Sequence, residues 1–247
     1  MMRAGLACLL VASLVACDDD TTGDKSSGSQ APEPSKEGGL FGNAVFTYKC
    51  LSPSDAQCDN DALGTGAGGS TSRLPQIAEG STFALTPQLT ALAPPGDPPV
   101  ITALHPTFAT VNGEAITAVK EGYTTLGFNR GAEVVDLLNV EIVKPDGMHL
   151  ASADPTSDFK DLSVSGGGVK ATATFTFRFR ALPGKGSAPL AGSFPCLWTT
   201  SDKDIANITT DATDNIVTIV TGTKQGTATI HVTLGPYASD IPLTVGG

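Results

Sequence analysis

Apolar and polar residues alternate along the segment VKATATFTFRFRA, residues 169–181. Every phenylalanine in it occupies an odd position, and every charged residue occupies an even one. A period of two predicts a β-strand with one face toward a core and the other toward solvent. The same alternation recurs in residues 138–142, 230–234 and 241–245. Short strands of this kind, separated by turns rich in Gly, Pro and Asp, predict antiparallel β-sandwiches.

The second half of the chain repeats the first. Residues 108–111 (FATV) align with 205–208 (IANI), and residues 116–122 align with 217–226. In each half a threonine-rich strand follows the last glycine of these segments, and an apolar alternating strand closes the half. The second copy is longer near 211–215, where a hairpin loop absorbs an insertion at small entropic cost. Such a repeat predicts one structural unit that is present twice.

The C-terminal copy carries three motifs in a fixed order: WTTSD at 198–202, IANI at 205–208 and GTKQGTATI at 222–230. Together they resemble the group 2 bacterial immunoglobulin-like domain of intimin- and invasin-type surface proteins. The resemblance implies an all-β chain with two tandem Ig-like antiparallel β-sandwiches, one at 41–146 and one at 147–247. The first is the weaker match.

Three residues of the repeat are predicted to have structural roles. Trp198 on a central strand would fill the space between two sheets, where an aromatic side chain makes a large contribution to stability. In the first copy Ile101 stands where the motif has Trp198. Gly122 and Gly226 each lead from a turn into a strand, where a positive φ or a close backbone approach favours glycine.

The first residues predict where the protein is delivered. Residues 1–16 hold one arginine and an apolar stretch that is too short to span about 30 Å of hydrocarbon, which is typical of a signal peptide. LVAC at 14–17, followed by three aspartates, resembles the lipobox of bacterial lipoproteins. The resemblance implies cleavage before Cys17 and lipidation of its thiol and new amine, and two or more acyl chains suffice for stable anchoring. A plain secretory signal with an incidental cysteine is the alternative.

The anchor implies the cell envelope, with the outer membrane or cell surface favoured. Asp18 resembles the inner-membrane retention signal of enteric bacteria, so the inner membrane stays open as an alternative. Residues 17–40 are predicted to be a disordered linker, since 18–39 contain no large apolar residue to offset the entropy of ordering. A flexible chain of twenty-odd residues has a root-mean-square reach of roughly 25 Å.

Composition and charge exclude several other classes of protein. The chain has 247 residues, with 28 Gly, 17 Pro and only 16% charged residues, which argues against long helices. Its 15 basic and 25 acidic side chains give a net charge of −10. Binding of nucleic acid through its phosphates therefore has no electrostatic basis.

The sequence offers little chemistry, and we predict no catalytic residue, no metal and no cofactor. His105, His149 and His231 have no zinc-ligand spacing, and a nucleophile elbow is absent. The glycine-rich run 64–69 lacks the preceding strand and following helix of a dinucleotide site. The segment 59–61 resembles the start of a calcium-binding loop. The match is only partial, because two later ligand positions hold residues that do not suit calcium.

A second set of acidic residues lies in predicted loops of the C-terminal copy. Solvated loops are the expected reading, with calcium binding as the alternative. The set comprises Asp202, Asp204, Asp211 and Asp214.

Three cysteines remain once the leader and the lipidated residue are set aside. Cys50 and Cys58 are close in sequence and are the expected disulfide in an oxidising compartment. Cys196 lies two residues before Trp198, so strand alternation predicts a buried free thiol. A long-range bridge from Cys196 to the N-terminal half is the alternative.

Taken together, these features predict a lipid-anchored cell-envelope protein with non-catalytic Ig-like modules for adhesion, spacing or protein interaction. Its partners would be the membrane, through the anchor, and a protein or glycan of the envelope. A glycan-binding lipoprotein is the alternative, although 1 Trp and 3 Tyr leave little aromatic material for a sugar platform. An envelope hydrolase is a third hypothesis, motivated only by the acidic loops.

Overall fold

The structure is a computed structural model, and it describes residues 35–51, 55, 73–154, 157, 159–162 and 168–246. These residues belong to one compact unit. They form strands and turns without a helix, and so contain no apolar helix long enough to cross a membrane. The predicted fold class, all-β with antiparallel Ig-like sandwich architecture, is confirmed.

The strands before residue 146 form two sheets, with orders β1-β2-β4-β7-β6 and β3-β9-β8-β5. Every pairing is antiparallel except that of β3 with β9. The strands are β1 Lys36–Gly38, β2 Ala44–Lys49, β3 Ile77–Ala78, β4 Thr82–Leu89, β5 Val100–Ala103, β6 Ala109–Asn112, β7 Ala115–Ala118, β8 Gly122–Arg130 and β9 Glu133–Val143.

The strands after residue 146 form two further sheets, with orders β11-β10-β13-β17-β16 and β12-β19-β18-β15, and β14 pairs with β13. Here the parallel pairing joins β12 and β19. The strands are β10 Gly147–Ala153, β11 Lys160–Asp161, β12 Val169–Ala171, β13 Thr176–Lys185, β14 Ala188–Pro189, β15 Cys196–Thr200, β16 Ala206–Ile208, β17 Ile216–Thr221, β18 Gly226–Leu234 and β19 Tyr237–Val245.

The two pairs of sheets have the same connectivity. The order β2-β4-β7-β6 in the first half corresponds to β10-β13-β17-β16 in the second, and β3-β9-β8-β5 corresponds to β12-β19-β18-β15. The aligned sequence segments fall on equivalent strands, β6 with β16, β7 with β17 and β8 with β18. The extra residues of the second copy lie in the loop 209–215 between β16 and β17.

Each half has its own cluster of buried apolar side chains, because the inward residues of its two sheets alternate with outward polar ones. The first cluster contains Phe46, Phe83, Leu126 and Phe128 among others. The second contains Phe179, Trp198, Ile219 and Ile230 among others.

The segment 169–181 is two strands and not the single strand that its alternation predicts. Val169–Ala171 pairs with β19, whereas Thr176–Lys185 pairs with β10 and β17 in the facing sheet. Thr174, between them, has a φ of +58°, which a β-branched residue adopts only at a sharp turn. Phe179 is buried as predicted, but Phe175, at the turn, is 38% exposed.

The predicted linker 17–40 ends too late. Lys36–Gly38 forms β1 and pairs with β2. The carboxylate of Glu37 accepts a hydrogen bond from the Leu74 amide at 2.9 Å. Backbone pairing and this side-chain bond order a segment that has no large apolar residue, which composition could not reveal. Residues 1–34, with the leader and Cys17, lie outside the described residues.

Candidate functional site

A continuous joint connects the two halves. The segment Leu190–Phe194, which follows β14, lies against β3 and the start of β4. Ala191 forms a parallel bridge with Ile77, and Ser193 forms an antiparallel bridge with Thr82. Four backbone hydrogen bonds hold this contact: Ala78 N to Ala191 O at 2.8 Å, Ala191 N to Gln76 O at 2.9 Å, Ser193 N to Thr82 O at 2.8 Å and Thr82 N to Ser193 O at 3.0 Å.

The joint also exchanges core residues between the halves. Ala191 belongs to the buried cluster of the first half, and Ala78 belongs to that of the second. Both side chains are small, so the two backbones approach closely enough to hydrogen-bond. Opening the joint would therefore expose both cores to water and break backbone bonds at the same time.

A buried carboxylate connects the first half to the joint segment by hydrogen bonds. Asp55 is fully buried and accepts hydrogen bonds from the Tyr48 hydroxyl at 2.6 Å and from the Gly192 amide at 3.1 Å. Burial, and then the negative charge of Asp55, raise the pKa of Tyr48 well above its ordinary value. Tyr48 therefore keeps its proton and remains a donor at physiological pH.

A second tyrosine joins the β18–β19 hairpin to the chain between β9 and β10. The Tyr237 hydroxyl donates to the Pro145 carbonyl at 2.9 Å. Burial raises the pKa of Tyr237, and the carboxylates of Glu79 and Asp146 act in the same direction. The joint thus has a backbone part, a core part and polar contacts from both halves.

A groove on the side of the second half is a concave surface that could receive a ligand. It has a volume of about 580 Å³ and adjoins a smaller cavity of about 180 Å³. Its apolar floor includes Ile241 and Leu162. The polar lining consists of His149, Asp161, Ser187, Ser239 and Asp240.

Charged groups around the groove are paired with neighbours. Asp240 lies 2.6 Å from the Nδ1 of His231. In the smaller cavity the guanidinium of Arg180 lies 4.3 Å from the ring centre of Phe159, and that of Arg178 lies 4.8 Å from the same ring. Hydroxyls, carboxylates and an imidazole over an apolar floor are suited to binding a polar ligand through hydrogen bonds. Within the described ranges, no three His, Cys, Asp or Glu side chains come close enough to hold a metal ion.

Two acidic residues of the C-terminal loops accept hydrogen bonds, Asp211 within its own loop and Asp202 also from the neighbouring loop. Asp202 accepts a hydrogen bond from Lys224 Nζ at 2.6 Å, which lowers the pKa of the carboxyl. Asp211 accepts bonds from the amide and hydroxyl of Thr213, the amide first, and these lower its pKa as well. These contacts satisfy turns and do not assemble a cation site. The run 59–61 and the glycine-rich run 64–69 lie outside the described residues.

The three residues predicted to be structural occupy the following positions. Trp198 is 1% exposed, packs 6.4 Å from the Phe179 ring and donates from Nε1 to the Asp214 carbonyl at 2.9 Å. Gly122 and Gly226 begin β8 and β18 with φ of +132° and +140°. A Cβ added at Gly122 would lie 2.9 Å from the Phe108 ring, and one at Gly226 would lie 3.1 Å from Ile205 Cδ1.

The cysteines divide into bridged and free. Cys50 is disulfide-bonded, while Cys58 and Cys17 lie outside the described residues. Cys196 is free and buried, as predicted. Burial raises the pKa of the Cys196 thiol to about 12, so it stays protonated in the folded protein.

Sequence reasoning missed two buried aspartates and the joint. Asp136 is fully buried and accepts hydrogen bonds from the amides of Phe41 at 2.9 Å and Ala44 at 2.7 Å, which fixes the β1–β2 turn. A signal existed for this residue, because Asp136 falls on the inward register of 138–142. Asp55 had no such signal, and one of its two hydrogen-bond donors, Gly192, is distant in sequence.

Comparisons with known proteins assign no family. No protein-family model matches the chain, and no curated protein matches it. Among solved structures, domains 4 and 5 of the S-layer protein SbsC are 17% identical, covering 67% of this chain and 83% of that one, with a TM-score of 0.30. The Escherichia coli adhesin FdeC is 15% identical over 70% and 61%, with a TM-score of 0.28. The D0–D1 domain of intimin is 15% identical over 68% and 92%, with a TM-score of 0.24. At such TM-scores the similarities support no argument about function.

Proposed function

We propose that this protein is a lipid-anchored, non-catalytic component of the bacterial cell envelope. Its two tandem Ig-like sandwiches, 41–146 and 147–247, act as one rigid unit that spaces or presents a binding surface. The observation that supports this proposal is the joint. A flexible pair of modules needs no exchanged core residues, whereas Ala78 and Ala191 each lie in the core of the other half.

The lipid anchor of this proposal depends on the leader sequence. Cys17 would carry the acyl chains, and the residues that follow would link the membrane to β1. The anchor places the unit in the envelope, on the outer membrane or cell surface, with the inner membrane as the alternative because of Asp18. The proposed Cys50–Cys58 disulfide is consistent with an oxidising compartment, and Cys50 is disulfide-bonded.

Metabolic labelling with a radioactive or alkyne-bearing fatty acid tests the anchor. The parent chain should incorporate label and sediment with membranes, whereas Cys17→Ser should incorporate none and keep its leader. Cys8→Ser is the matched control, since it removes a leader thiol that is not the predicted acceptor, and it should label like the parent. Equal labelling of Cys17→Ser would exclude the anchor.

Distance measurement between spin labels tests the rigid unit. Labels at Val134→Cys in the first half and Lys203→Cys in the second should give one narrow distance distribution. Gly192→Val should broaden it, because Gly192 has a φ of +106° and a Cβ there would overlap the Ser81 side chain. A label pair within the second half, at Lys185 and Lys203, should stay narrow in both. A broad distribution in the parent would contradict the proposal.

Glycan binding is a second candidate function, which the groove of about 580 Å³ specifically favours. Its hydroxyl, imidazole and carboxylate lining suits a sugar better than an apolar ligand. A glycan array would test this: His149→Ala with Ser239→Ala should abolish any signal that the parent gives, and Ser201→Ala, outside the groove, should not. The hydrolase hypothesis has less support, since Asp202 is bonded to Lys224 and Asp211 to Thr213. Asp204→Asn should leave any turnover unchanged.

A further inference from the structure

The joint offers a template for a contact between copies of the chain. In it, one end of the second half, with the loop between β14 and β15, packs on the opposite end of the first half, at β3 and β4. Since the two halves share their connectivity, each half has both kinds of end. One end of each kind is used in the joint, and no strand of the described residues covers the other two.

The free end of the second half corresponds to the surface that receives Ala191 in the first. In the first half Gly122 pairs with Ile142, and Ile142 pairs with Ile77. In the second half Gly226 pairs with Val245, and Val245 pairs with Ala171. Ala171 therefore occupies the place of Ile77, the bridge partner of Ala191. Among the described residues, the strand that pairs with β12 is β19, so its other edge carries no strand.

An apolar pocket of about 440 Å³ lies at this position, lined by Lys170, Ala171, Thr172, Phe175 and Phe177. The two phenylalanine rings lie 4.7 Å apart. Phe175 is partly exposed because Thr174, in its positive-φ conformation, turns the chain there. The pocket thus combines an open strand edge with an apolar wall, as the equivalent surface of the first half does for the segment that fills it.

The free end of the first half carries a loop suited to this pocket. The loop 90–99 lies between β4 and β5, as 190–195 lies before β15. Leu92-Ala93 in it matches Leu190-Ala191. Of that pair, Ala191 enters the core of the first half, and Leu190 stays in the core of the second. Leu190 and Ala191 are buried, whereas Leu92 is 76% exposed.

The loop is held in a defined shape by a side chain of its own half. The guanidinium of Arg130 donates to the carbonyls of Pro94 at 3.3 Å, Pro95 at 3.1 Å and Asp97 at 2.6 Å. A preorganised loop loses less entropy on docking than a disordered one. Asp97 also gives this end a negative charge, opposite to that of Lys170 at the pocket.

Exposed apolar side chains are concentrated at this end of the first half. Of the twelve large apolar side chains that are exposed among the described residues, half lie here, on the turn 39–43, the loop 90–99 and the strand ends beside them. The turn and loop are adjacent, because Thr90 donates from its amide to the Asn43 carbonyl at 2.9 Å and from Oγ1 to the Gly42 carbonyl at 2.8 Å. Contiguous apolar surface of this kind marks an interaction site. The six are Leu40, Phe41, Leu89, Leu92, Val100 and Val134.

We infer that a second copy of this chain docks head to tail, with its Leu92-Ala93 loop in the pocket formed by Lys170–Phe177. The contact repeats between molecules the arrangement that Leu190–Phe194 makes within one. It is heterologous, since the two surfaces differ, so each copy has one donor end and one acceptor end. Copies then add in a row along the envelope and do not stop at a dimer. The inference adds a partner to the proposed unit and does not depend on lipidation.

Cysteine cross-linking between two tagged full-length chains in the same cells tests the inference. Ala93→Cys in one chain and Ala171→Cys in the other should form a mixed disulfide dimer, because the equivalent residues Ala191 and Ile77 are bridge partners. Leu104→Cys with Ala171→Cys is the matched control, since Leu104 is exposed but lies away from the loop. The first pair should give about tenfold more mixed dimer than the control.

Three outcomes would overturn the inference: no mixed dimer although both variants reach the envelope folded, equal dimer with Leu104→Cys, or dimers of Ala93→Cys alone. Adding Leu92→Asp to the Ala93→Cys chain should reduce the mixed dimer about tenfold, because a charge replaces the apolar side chain that fills the pocket. If Leu92→Asp instead weakens membrane attachment and leaves cross-linking unchanged, the end faces lipid and the inference is wrong. Fatty-acid labelling of the same cells reports on the anchor separately.

Discussion

The two halves share one strand order, but at one equivalent pair of positions the large aromatic side chain lies on different strands. In the second half Trp198 on β15 pairs with Val232 on β18. At the equivalent position of the first half, Ile101 on β5 pairs with Phe128 on β8. The missing tryptophan is thus replaced from the facing strand. What the fold requires is a filled layer between the sheets, and either strand can supply the side chain.

The partners of the two aromatic residues differ as well. Phe128 packs edge to face on Phe46, with ring centres 5.6 Å apart. Phe46 lies on β2, so the N-terminal hairpin β1–β2 completes the first core. Trp198 packs on Phe179 of β13, which lies well inside its own sheet. The first half therefore depends on its N-terminal hairpin more than the second depends on β10.

Truncation of Trp198 should have the largest effect on this comparison. Trp198→Ala should cost about 3–5 kcal/mol of unfolding free energy, because it removes a buried aromatic side chain and leaves a cavity. Denaturant titration would measure the loss. Cys196 supplies a local readout, since its buried thiol, with a pKa of about 12, should resist alkylation until the second half opens.

The neighbour on the same strand provides the control for this prediction. Leu197 is 48% exposed and points away from the core, so Leu197→Ala should change stability by less than about 0.5 kcal/mol. A loss for Trp198→Ala no larger than that for Leu197→Ala would mean that the second core does not depend on the tryptophan.

Exchanging the aromatic and aliphatic positions of the Ile101–Phe128 pair tests whether the two halves are equivalent there. Ile101→Trp alone should cost about 1–3 kcal/mol by overpacking against Phe128, and Phe128→Val alone should cost about 2 kcal/mol or more through the cavity it leaves. Together they reproduce the Trp–Val arrangement of the second half, so the double variant should be more stable than the sum by about 1–2 kcal/mol. A double-mutant cycle in urea measures this coupling. Strict additivity would show that the two positions are not equivalent.

The sequence predicted much of each half and little of what joins them. Alternation identified β9, β18 and β19, because the side chains of any half-buried strand alternate between its two faces with a period of two. The same signal misled at 169–181, since it reports which face a residue occupies and not which sheet it belongs to. The turn at Thr174 moves the chain between sheets without disturbing the alternation.

The joint could not be read from sequence for a different physical reason. The joint requires small side chains at Ala78 and Ala191. Alanine is common in every environment, so neither residue stands out in the sequence. Their contact is made by backbone groups, which every residue carries. The buried Asp55 lies close to its donor Tyr48 in sequence, but it also accepts from Gly192 in the other half, which its sequence neighbourhood does not indicate.

Alanine at the two turn glycines should lower the stability of each half, and the difference between the two losses should be smaller than the effects above. Gly122→Ala and Gly226→Ala should each cost about 1–3 kcal/mol, since both residues have a positive φ that alanine adopts only with strain. Gly122→Ala should cost more, because its Cβ would meet the rigid Phe108 ring, whereas Ile205 Cδ1 can rotate away. Thermal unfolding of the two variants gives the order. The reverse order would mean that strain, and not contact, decides the cost.

The smallest effect concerns one exposed ion pair in each half. Lys224 lowers the pKa of Asp202, and Lys49 lowers that of Glu114. A carboxyl whose pKa is lower in the folded state stabilises the protein above its unfolded pKa, and this contribution is lost as the pH falls through about 4. Asp202→Asn should therefore flatten the fall in melting temperature between neutral and acid pH. Glu114→Gln should flatten it less, since the Glu114 side chain is 75% exposed against 29% for Asp202, which also accepts the Asp204 amide. Equal slopes for the two variants would show that solvent screens both pairs alike.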